Sequence, residues 1–378
     1  MINRERLIRL TQKLIRIDSQ NPSSDEVAIA RFVREYLEAL KVRVRVCAFK
    51  KRRPNIIASL GSGKHPSLLI SPHLDTVPAG TRWSMDPFAG IIKRKRLYGL
   101  GATDCKCNVA VAMEAIQSLI EDNVQLGYTL IFAATADEET GSDLGLVPLL
   151  EKKILHPDAA LILDADDFDI VITQKGLLHV KVKIQGTRAH GAYPWLGTNA
   201  IDIAMRILQD LKNEKTVYPR NRYLRPPTVN IGTIAGGDKV NVVADWCEFE
   251  LDFRFLPGQS AGVVLSHLKR TIHRHTRRFA IEVEGSQKPY AIRSDCALVK
   301  HLTKALAAYN IRPRIQGSEG ATVITFFQQQ GIPAVATGFG CGGCAHTADE
   351  YVTLDNLHRG ALVLEDFLKR YTFNYSKG

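Results

Sequence analysis

The 378-residue sequence predicts an α/β protein: a mixed sheet flanked by helices, interrupted by a smaller inserted α/β unit. Two observations carry this prediction. Short aliphatic runs such as 68–70 and 159–163 are typical of buried strands, and they alternate with helical patterns. From Leu177 to Gln287 the strands instead alternate apolar and polar residues, which indicates a separate sheet with one exposed face.

The chain begins with two predicted amphipathic helices. Leu7, Leu10, Leu14 and Ile17 recur at helical spacing within 4–17. A second helix is expected from a cap at Ser24 or Asp25 to Leu40, and strands are expected at 42–49 and 55–60.

The next strand ends in a histidine and a carboxylate. Its run of large aliphatic residues is closed by Ser71-Pro72, so His73 and Asp75 follow the carboxyl end of a buried strand. In open α/β sheets ligands bind at that end. One intervening residue places both side chains on the same side of an extended segment, which suits a metal ligand with a carboxylate behind it. Taken alone, the pair favours an ordinary surface histidine.

Further structured segments also end in carboxylates. A strand-like segment, 91–98, leads to Asp104, and an Ala-rich helix at 108–120 is expected to be buried. Strand 128–134 runs into Glu138 and Glu139, and strand 159–163 runs into Asp164 and Asp166. Carboxylates converging on one sheet edge repel one another unless cations lie between them. The pattern therefore predicts a metal site.

The inserted unit has its own strand and helix order. Its predicted elements give β-α-β-β-α-β, a ferredoxin-like arrangement: strand 177–185, helix 199–211, strands 228–234 and 247–255, helix 260–275 and strand 279–283. Helices at 295–309 and 322–330, a strand at 334–337, a loop with His346 and a helix at 354–371 follow. We predict one domain from 1–176 with 288–378 and a second from 177–287.

The amino-acid composition argues against several classes of protein. Seven scattered cysteines argue against a disulfide framework, although Cys105, Cys107, Cys341 and Cys344 could form a four-thiolate zinc site. The net charge of +11 is expected to lie on solvated loops, without nucleic-acid binding. No segment approaches the ~20 apolar residues of a membrane span, and the N-terminus does not resemble a signal peptide. We expect a cytoplasmic protein that does not bind membranes.

Seven motifs in order resemble the M20 metallopeptidase and deacylase family, particularly its acetylornithine deacetylase and succinyl-diaminopimelate desuccinylase branches. They span most of the chain: SPHLDTVP (71–78), GLGATDCK (99–106), ADEETGS (136–142), GTRAH (186–190), NVVAD (241–245) with DFR (252–254), GSEG (317–320) and AHTADEYV (345–352). The family implies a split zinc-hydrolase domain with an inserted lid and dimerisation domain.

The resemblance implies two divalent ions, zinc or alternatively cobalt or manganese. Asp104 would bridge both ions. His73 and a carboxylate near Asp164 would complete one site, with Asp166 as the alternative carboxylate. Glu139 and His346 would complete the other site. Hard carboxylates and imidazoles suit such ions.

The resemblance also implies catalytic roles. Glu138 would act as general base, and Asp75 would accept a hydrogen bond from His73. His190 would donate to the developing oxyanion, from the partner subunit in dimeric members. The family also implies a cis peptide between Asp104 and Cys105.

Substrate contacts are implied at Asn241 and Arg254, and Glu319 favours the acetylornithine-type branch. The expected activity is hydrolysis of an N-acyl amino acid by a homodimer. An M20-type dipeptidase or carboxypeptidase is the alternative. A catalytically silent binding protein would lack a ligand or Glu138, and this chain has all of them.

Overall fold

A computed structural model describes residues 1–61, 66–214 and 217–373. The helices are α1 (Arg4–Ile15), α2 (Val27–Ala39), α3 (Lys106–Glu121), α4 (Leu146–Glu151), α5 (Ala200–Asn213), α6 (Ala261–His273), α7 (Ala297–Ala308), α8 (Ile324–Gln329) and α9 (Leu354–Arg370). The strands are β1 (Arg43–Ala48), β2 (Pro54–Leu60), β3 (Ser67–Ser71), β4 (Ile91–Lys93), β5 (Arg96–Tyr98), β6 (Thr129–Ala134), β7 (Ala159–Leu163), β8 (Asp169–Gln174), β9 (Gly176–Gln185), β10 (Thr228–Gly236), β11 (Trp246–Phe255), β12 (Phe279–Gln287), β13 (Tyr290–Ala291), β14 (Arg314–Ser318), β15 (Ala334–Thr337) and β16 (Tyr351–Thr353).

The chain forms two compact units. The first contains 1–172, 292–316 and 326–378, and the second contains 173–291 and 317–325. The predicted α/β fold class is confirmed. The predicted domain limits, 176/177 and 287/288, remain predictions. The predicted first domain includes 317–325, yet this segment clusters with the second unit.

The first unit is built on a mixed sheet with the order β1-β2-β6-β3-β7-β15-β8. Its central strands β6, β3, β7 and β15 are mutually parallel. They are almost entirely buried, which explains why their sequences are short aliphatic runs. Helices α1, α3, α7 and α9 pack on one another. Nearly every residue of α3 is buried, as its Ala-rich sequence predicts.

The single strand predicted at 91–98 is wrong. The structure has a hairpin, β4 and β5, whose turn residues Arg94 and Lys95 have φ of 50° and 62°. Two left-handed residues match the tight turn that joins twisted antiparallel strands. Neither residue is the Asn or Gly that usually signals such a turn. Strand β16 joins this hairpin to form a small three-stranded sheet.

The second unit contains an antiparallel sheet with the order β10-β11-β9-β12. Helices α5 and α6 cover its apolar face, where Val180, Phe249 and Ile207 are fully buried. Asn199 and Ser260 cap the two helices by accepting backbone N–H groups. The predicted β-α-β-β-α-β order is therefore present.

Some predictions cannot be compared, and some elements were missed. The sequence Gly-Ser-Gly at 61–63 favours a turn before β3, and most of this segment lies outside the described residues. Sequence patterns missed the short elements α4, β8, β13, β14 and β16. Within the described ranges, no helix has the length and apolar character needed to cross a membrane.

Candidate metal centre and active site

The candidate site lies at the carboxyl ends of adjacent parallel strands in the first unit. His73 follows β3 and pairs with Thr135, which follows β6. Glu138 and Glu139 lie in a 3-10 turn soon after β6. Asp164 directly follows β7, and its N–H donates to the carbonyl of Thr337 at the end of β15, 2.9 Å away. The sheet order thus brings residues distant in sequence to one edge.

Asp104 also lies at this edge, but in a different structural element from the one predicted. It does not end a strand of the main sheet but lies in the turn between β5 and α3. Gly101 in this turn has φ +78°, and a Cβ there would lie 2.8 Å from the Thr76 side chain. The Asp104–Cys105 peptide is cis, as the resemblance implied.

Asp104 contacts both candidate ligand histidines. Its Oδ1 is 2.9 Å from Nε2 of His73, and its Oδ2 is 3.2 Å from Nε2 of His346. Nε2 of His346 is also 3.2 Å from Oε2 of Glu139. The ligand atoms of Asp104, Glu139 and His346 all lie within 4.8 Å of one another. A second such group contains His73, Glu138 and Asp164. Asp104 therefore joins two adjacent clusters.

The structure distinguishes the two alternative aspartates by position. Oδ1 of Asp164 is 3.8 Å from Nε2 of His73. Among the described residues, the groups able to hold a metal include Asp164 but not Asp166. This geometry supports Asp164 as the ligand.

The acidic groups of the site strongly perturb one another. Burial, and then the charge of Asp104, raises the pKa of Asp164 to about 7. Burial, and then the charge of Asp164, raises the pKa of Glu138 well above its usual range. Hydrogen bonds to Asp104 and Glu139 raise the pKa of His346 to about 10. Such electrostatics fit a site built around cations.

The predicted role of Asp75 needs refinement. Nδ1 of His73 is 2.9 Å from the backbone carbonyl of Asp75 but 3.5 Å from its carboxylate. That carboxylate accepts the backbone N–H groups of Glu138 and Glu139, each at 3.1 Å, and the Asn21 amide at 3.0 Å. Burial opposes ionisation of Asp75, yet the neighbouring His73 ring and the hydrogen bonds from Asn21 and the Glu139 N–H lower its pKa. The Asp75 carboxylate mainly holds the turn that carries the two glutamates.

Sequence reasoning missed two supporting residues. Glu350 is buried, and its carboxylate accepts the backbone N–H groups of Gly101, Thr103 and Asp104 at 2.7–2.9 Å. Asn21 donates to Asp75, as described, and to Asp137 at 3.2 Å. Glu350 lies inside the motif AHTADEYV, where sequence reasoning assigned a role only to His346, and Asn21 precedes a proline in the loop after α1.

The cysteines do not form the alternative four-thiolate cluster. Within the described residues, no group able to hold a metal contains Cys107, Cys341 or Cys344. Cys105 lies beside His73 and Asp104, but burial raises the pKa of its thiol to about 11. Its thiol donates to the carbonyl of Leu163 at 3.3 Å. These features favour a structural role for Cys105.

The remaining predicted site residues lie in the second unit. Asn241 and His190 are on adjacent segments, since the Gly191 N–H donates to the Asn241 carbonyl at 2.8 Å. Arg254 forms a two-point ion pair with Asp252 at 2.8 and 3.1 Å. Glu319 forms an ion pair with Lys175 at 2.6 Å. Their contacts with substrate remain predictions.

Comparisons with known proteins identify relatives of the sequence and of the fold. The chain is 30% identical over 357 residues to an acetylornithine deacetylase of Proteus mirabilis, covering 91% of this chain and 89% of the relative. The structure is similar to the aminopeptidase PepT from Bacillus cereus, with a TM-score of 0.81, 23% identity and coverage of 97% and 98% of the two chains. It is also similar to the YXEP protein of Bacillus subtilis, described as a dinuclear metal binding peptidase, with a TM-score of 0.75, 18% identity and 97% coverage of each chain.

The sequence profile described as peptidase family M20/M25/M40 matches residues 69–370. This range contains the five candidate metal ligands and Glu138 beside them. The chain therefore belongs to peptidase family M20/M25/M40.

Proposed function

We propose that this protein is a metal-dependent hydrolase that cleaves the amide bond of an N-acyl amino acid. The observation that carries the proposal is the position of Asp104, whose two oxygens contact His73 and His346, with Glu138 in the adjoining cluster. One carboxylate shared by two ligand clusters is the arrangement expected for a pair of metal ions.

The residues present fit two divalent ions. His73, Asp104 and Asp164 would hold one ion, and Asp104, Glu139 and His346 would hold the other. Carboxylate oxygens and imidazole nitrogens suit zinc, cobalt and manganese. Cations between these carboxylates would offset the repulsion that raises the pKa of Asp164 to about 7.

When bound, the ions polarise the scissile carbonyl and lower the pKa of a water molecule. Glu138 accepts the proton of the attacking water and passes it to the leaving nitrogen. Burial raises the pKa of Glu138, which brings its proton affinity closer to that of an effective base at neutral pH. Asp75 orients Glu138 through the backbone N–H of that residue.

The substrate class rests on the second unit and on the similarity to a deacetylase. Arg254 and Asn241 would recognise the free carboxylate of the substrate, and Glu319 would contribute to selection among amino acids. His190 would stabilise the oxyanion. The 30% identity to an acetylornithine deacetylase favours an N-acyl amino acid over a dipeptide.

A substrate screen tests this proposal. Metal-free protein would be loaded with zinc, cobalt or manganese and assayed on acetyl-, succinyl- and formyl-amino acids, with dipeptides in parallel. We expect hydrolysis of an acyl-amino acid and up to two ions per chain by elemental analysis. Activity on dipeptides alone would favour the peptidase alternative, and full activity in metal-free protein would refute the mechanism.

The base is tested by Glu138→Gln. Turnover should fall by at least the ~10²-fold typical of a general base, while metal content is retained. The matched variant Glu139→Gln should instead lower metal content. The opposite result would mean that the two glutamates have exchanged roles.

We also propose that the protein acts as a homodimer in which His190 serves the partner's site. Mixing His190→Ala chains with Glu138→Gln chains tests this proposal. If the histidine acts across the dimer, one site of each mixed dimer carries both lesions and the other carries neither, so activity reappears. A verified mixed dimer without activity would mean that His190 does not act in the partner's site.

A further inference from the structure

The second unit holds His190 at the edge of two paired segments. His190 pairs in antiparallel fashion with Val242, and the Val243 N–H donates to the carbonyl of Ala189 at 2.9 Å. The Gly191 N–H donates to the carbonyl of Asn241 at 2.8 Å. These two hydrogen bonds, which form the antiparallel pairing, fix the backbone on both sides of His190.

Gly191 allows this close approach. A Cβ at position 191 would lie 2.8–3.0 Å from the backbone C, O and Cα atoms of Asn241. Backbone atoms cannot move aside as a flexible side chain can. The turn that follows His190 therefore depends on glycine for space.

The ring of His190 has a specific partner in this turn. The backbone N–H of Ala192 donates to Nδ1 of His190, with the nitrogens 3.0 Å apart. The N–H of Tyr193 donates to the carbonyl of His190 at 2.8 Å. The Tyr193 ring lies 5.8 Å from the imidazole, measured between centroids. Ring and backbone are therefore oriented by the same four-residue turn.

A backbone N–H can only donate a hydrogen bond. Nδ1 must therefore be the acceptor, and a neutral imidazole that accepts at Nδ1 carries its hydrogen on Nε2. The ring is exposed, so Nε2–H can reach a group outside the turn.

We propose that the Ala192 N–H is a positioning group that fixes His190 as the Nε2–H tautomer and so presents a hydrogen-bond donor. The inference rests on the proposed function, in which His190 donates to the oxyanion. Only this tautomer supplies a donor at Nε2, the nitrogen that the turn leaves open. Ala192 acts through its backbone and Gly191 by its lack of a side chain.

The tautomer can be measured without substrate or metal. NMR spectra of protein containing ¹⁵N-labelled histidine report which ring nitrogen carries hydrogen, at a pH where the ring is neutral. The His190 signal is identified among the 11 histidines by its loss in His190→Gln. We expect a single tautomer with hydrogen on Nε2. Hydrogen on Nδ1, or a mixture of tautomers, would overturn the inference whatever reaction the protein catalyses.

Substitution then tests the role of the amide. Ala192→Pro removes the N–H, whereas Ala192→Gly keeps it and should keep the single tautomer. In Ala192→Pro we expect mixed tautomers and a fall in kcat of about fivefold, the value of one ordinary hydrogen bond, with little change in KM. A folded Ala192→Pro protein with an unchanged tautomer and unchanged kcat would refute the positioning role.

A conservative variant separates this inference from the proposed function. His190→Gln keeps an N–H donor near the position of Nε2, so it should retain more turnover than His190→Asn. Turnover equal to that of the wild-type protein in both variants would remove His190 from the proposed reaction. The tautomer measurement would still decide whether the Ala192 N–H fixes the ring.

Discussion

Replacing Asp75 with Asn tests how the site is supported. Three N–H donors converge on the two carboxylate oxygens of Asp75. Oδ1 accepts from the Glu138 N–H, and Oδ2 accepts from the Glu139 N–H and from Asn21. An amide of the same shape offers one oxygen and one NH₂ group. The least costly orientation places NH₂ at the Oδ1 position, where it faces the Glu138 N–H.

The expected loss of stability follows from the number of hydrogen bonds that the substitution removes. A hydrogen bond to a charged group is worth about 1.5–3 kcal/mol, and one such bond is lost. The free energy of unfolding should therefore fall by about 2 kcal/mol. If the displacement of Glu138 is expressed fully in the transition state, kcat/KM falls about 10- to 100-fold.

A measurement of metal content distinguishes a role of Asp75 in holding the Glu138–Glu139 turn from a role in orienting His73. The backbone carbonyl of Asp75, 2.9 Å from Nδ1 of His73, is unaffected by the substitution. We therefore expect metal content to be unchanged when it is measured by elemental analysis. Asn21→Ala is the comparison variant: it removes the donor to Oδ2 of Asp75, together with the bonds from Asn21 to Asp137 and Thr140, but leaves the Glu138 N–H bond in place, so it should lower stability with a smaller effect on kcat/KM than Asp75→Asn. Lost metal with normal stability, or unchanged stability and kcat/KM, would refute the reasoning.

Three further predictions concern charged groups. Arg6→Leu should cost about 3–5 kcal/mol in chemical denaturation, because the fully buried carboxylate of Glu114, 2.7 Å from Arg6, loses its cationic partner and keeps the Asn3 N–H as a donor; adding Glu114→Leu should restore most of the loss. Burial raises the pKa of Glu26 to about 7, so the folded protein favours the protonated form of this side chain. As the pH rises from about 4.5, the unfolded pKa, to about 7, the folded pKa, the free energy of unfolding of the wild-type protein should therefore fall by on the order of 3 kcal/mol. Glu26→Gln should remove that part of the pH dependence, and an unchanged profile would contradict the assignment. Asp164→Asn should lower metal content by elemental analysis, whereas Asp166→Asn should leave it unchanged; the reverse result would make Asp166 the ligand.

The sequence determined the fold class and the order of the main elements. The aliphatic runs of β3, β7 and β15 match buried parallel strands because both faces of such strands contact the core. The Ala-rich pattern of α3 predicted its burial for the same reason. The spacing of apolar residues shows which positions of one segment are buried. It therefore predicts secondary structure well where burial determines that structure.

Candidate ligands were also identifiable from the sequence, because few residue types bind divalent ions and several of them follow buried strands. Only the tertiary structure decided how they are supported. Asp104 lies in a turn that follows a hairpin, and the sequence pattern did not predict that hairpin. The turn is stabilised by hydrogen bonds to Glu350, a residue distant along the chain. Asp75 holds the Glu138–Glu139 turn as well as contacting His73. A side-chain hydrogen bond depends on which distant backbone groups lie within about 3 Å, and a linear pattern contains no such distances.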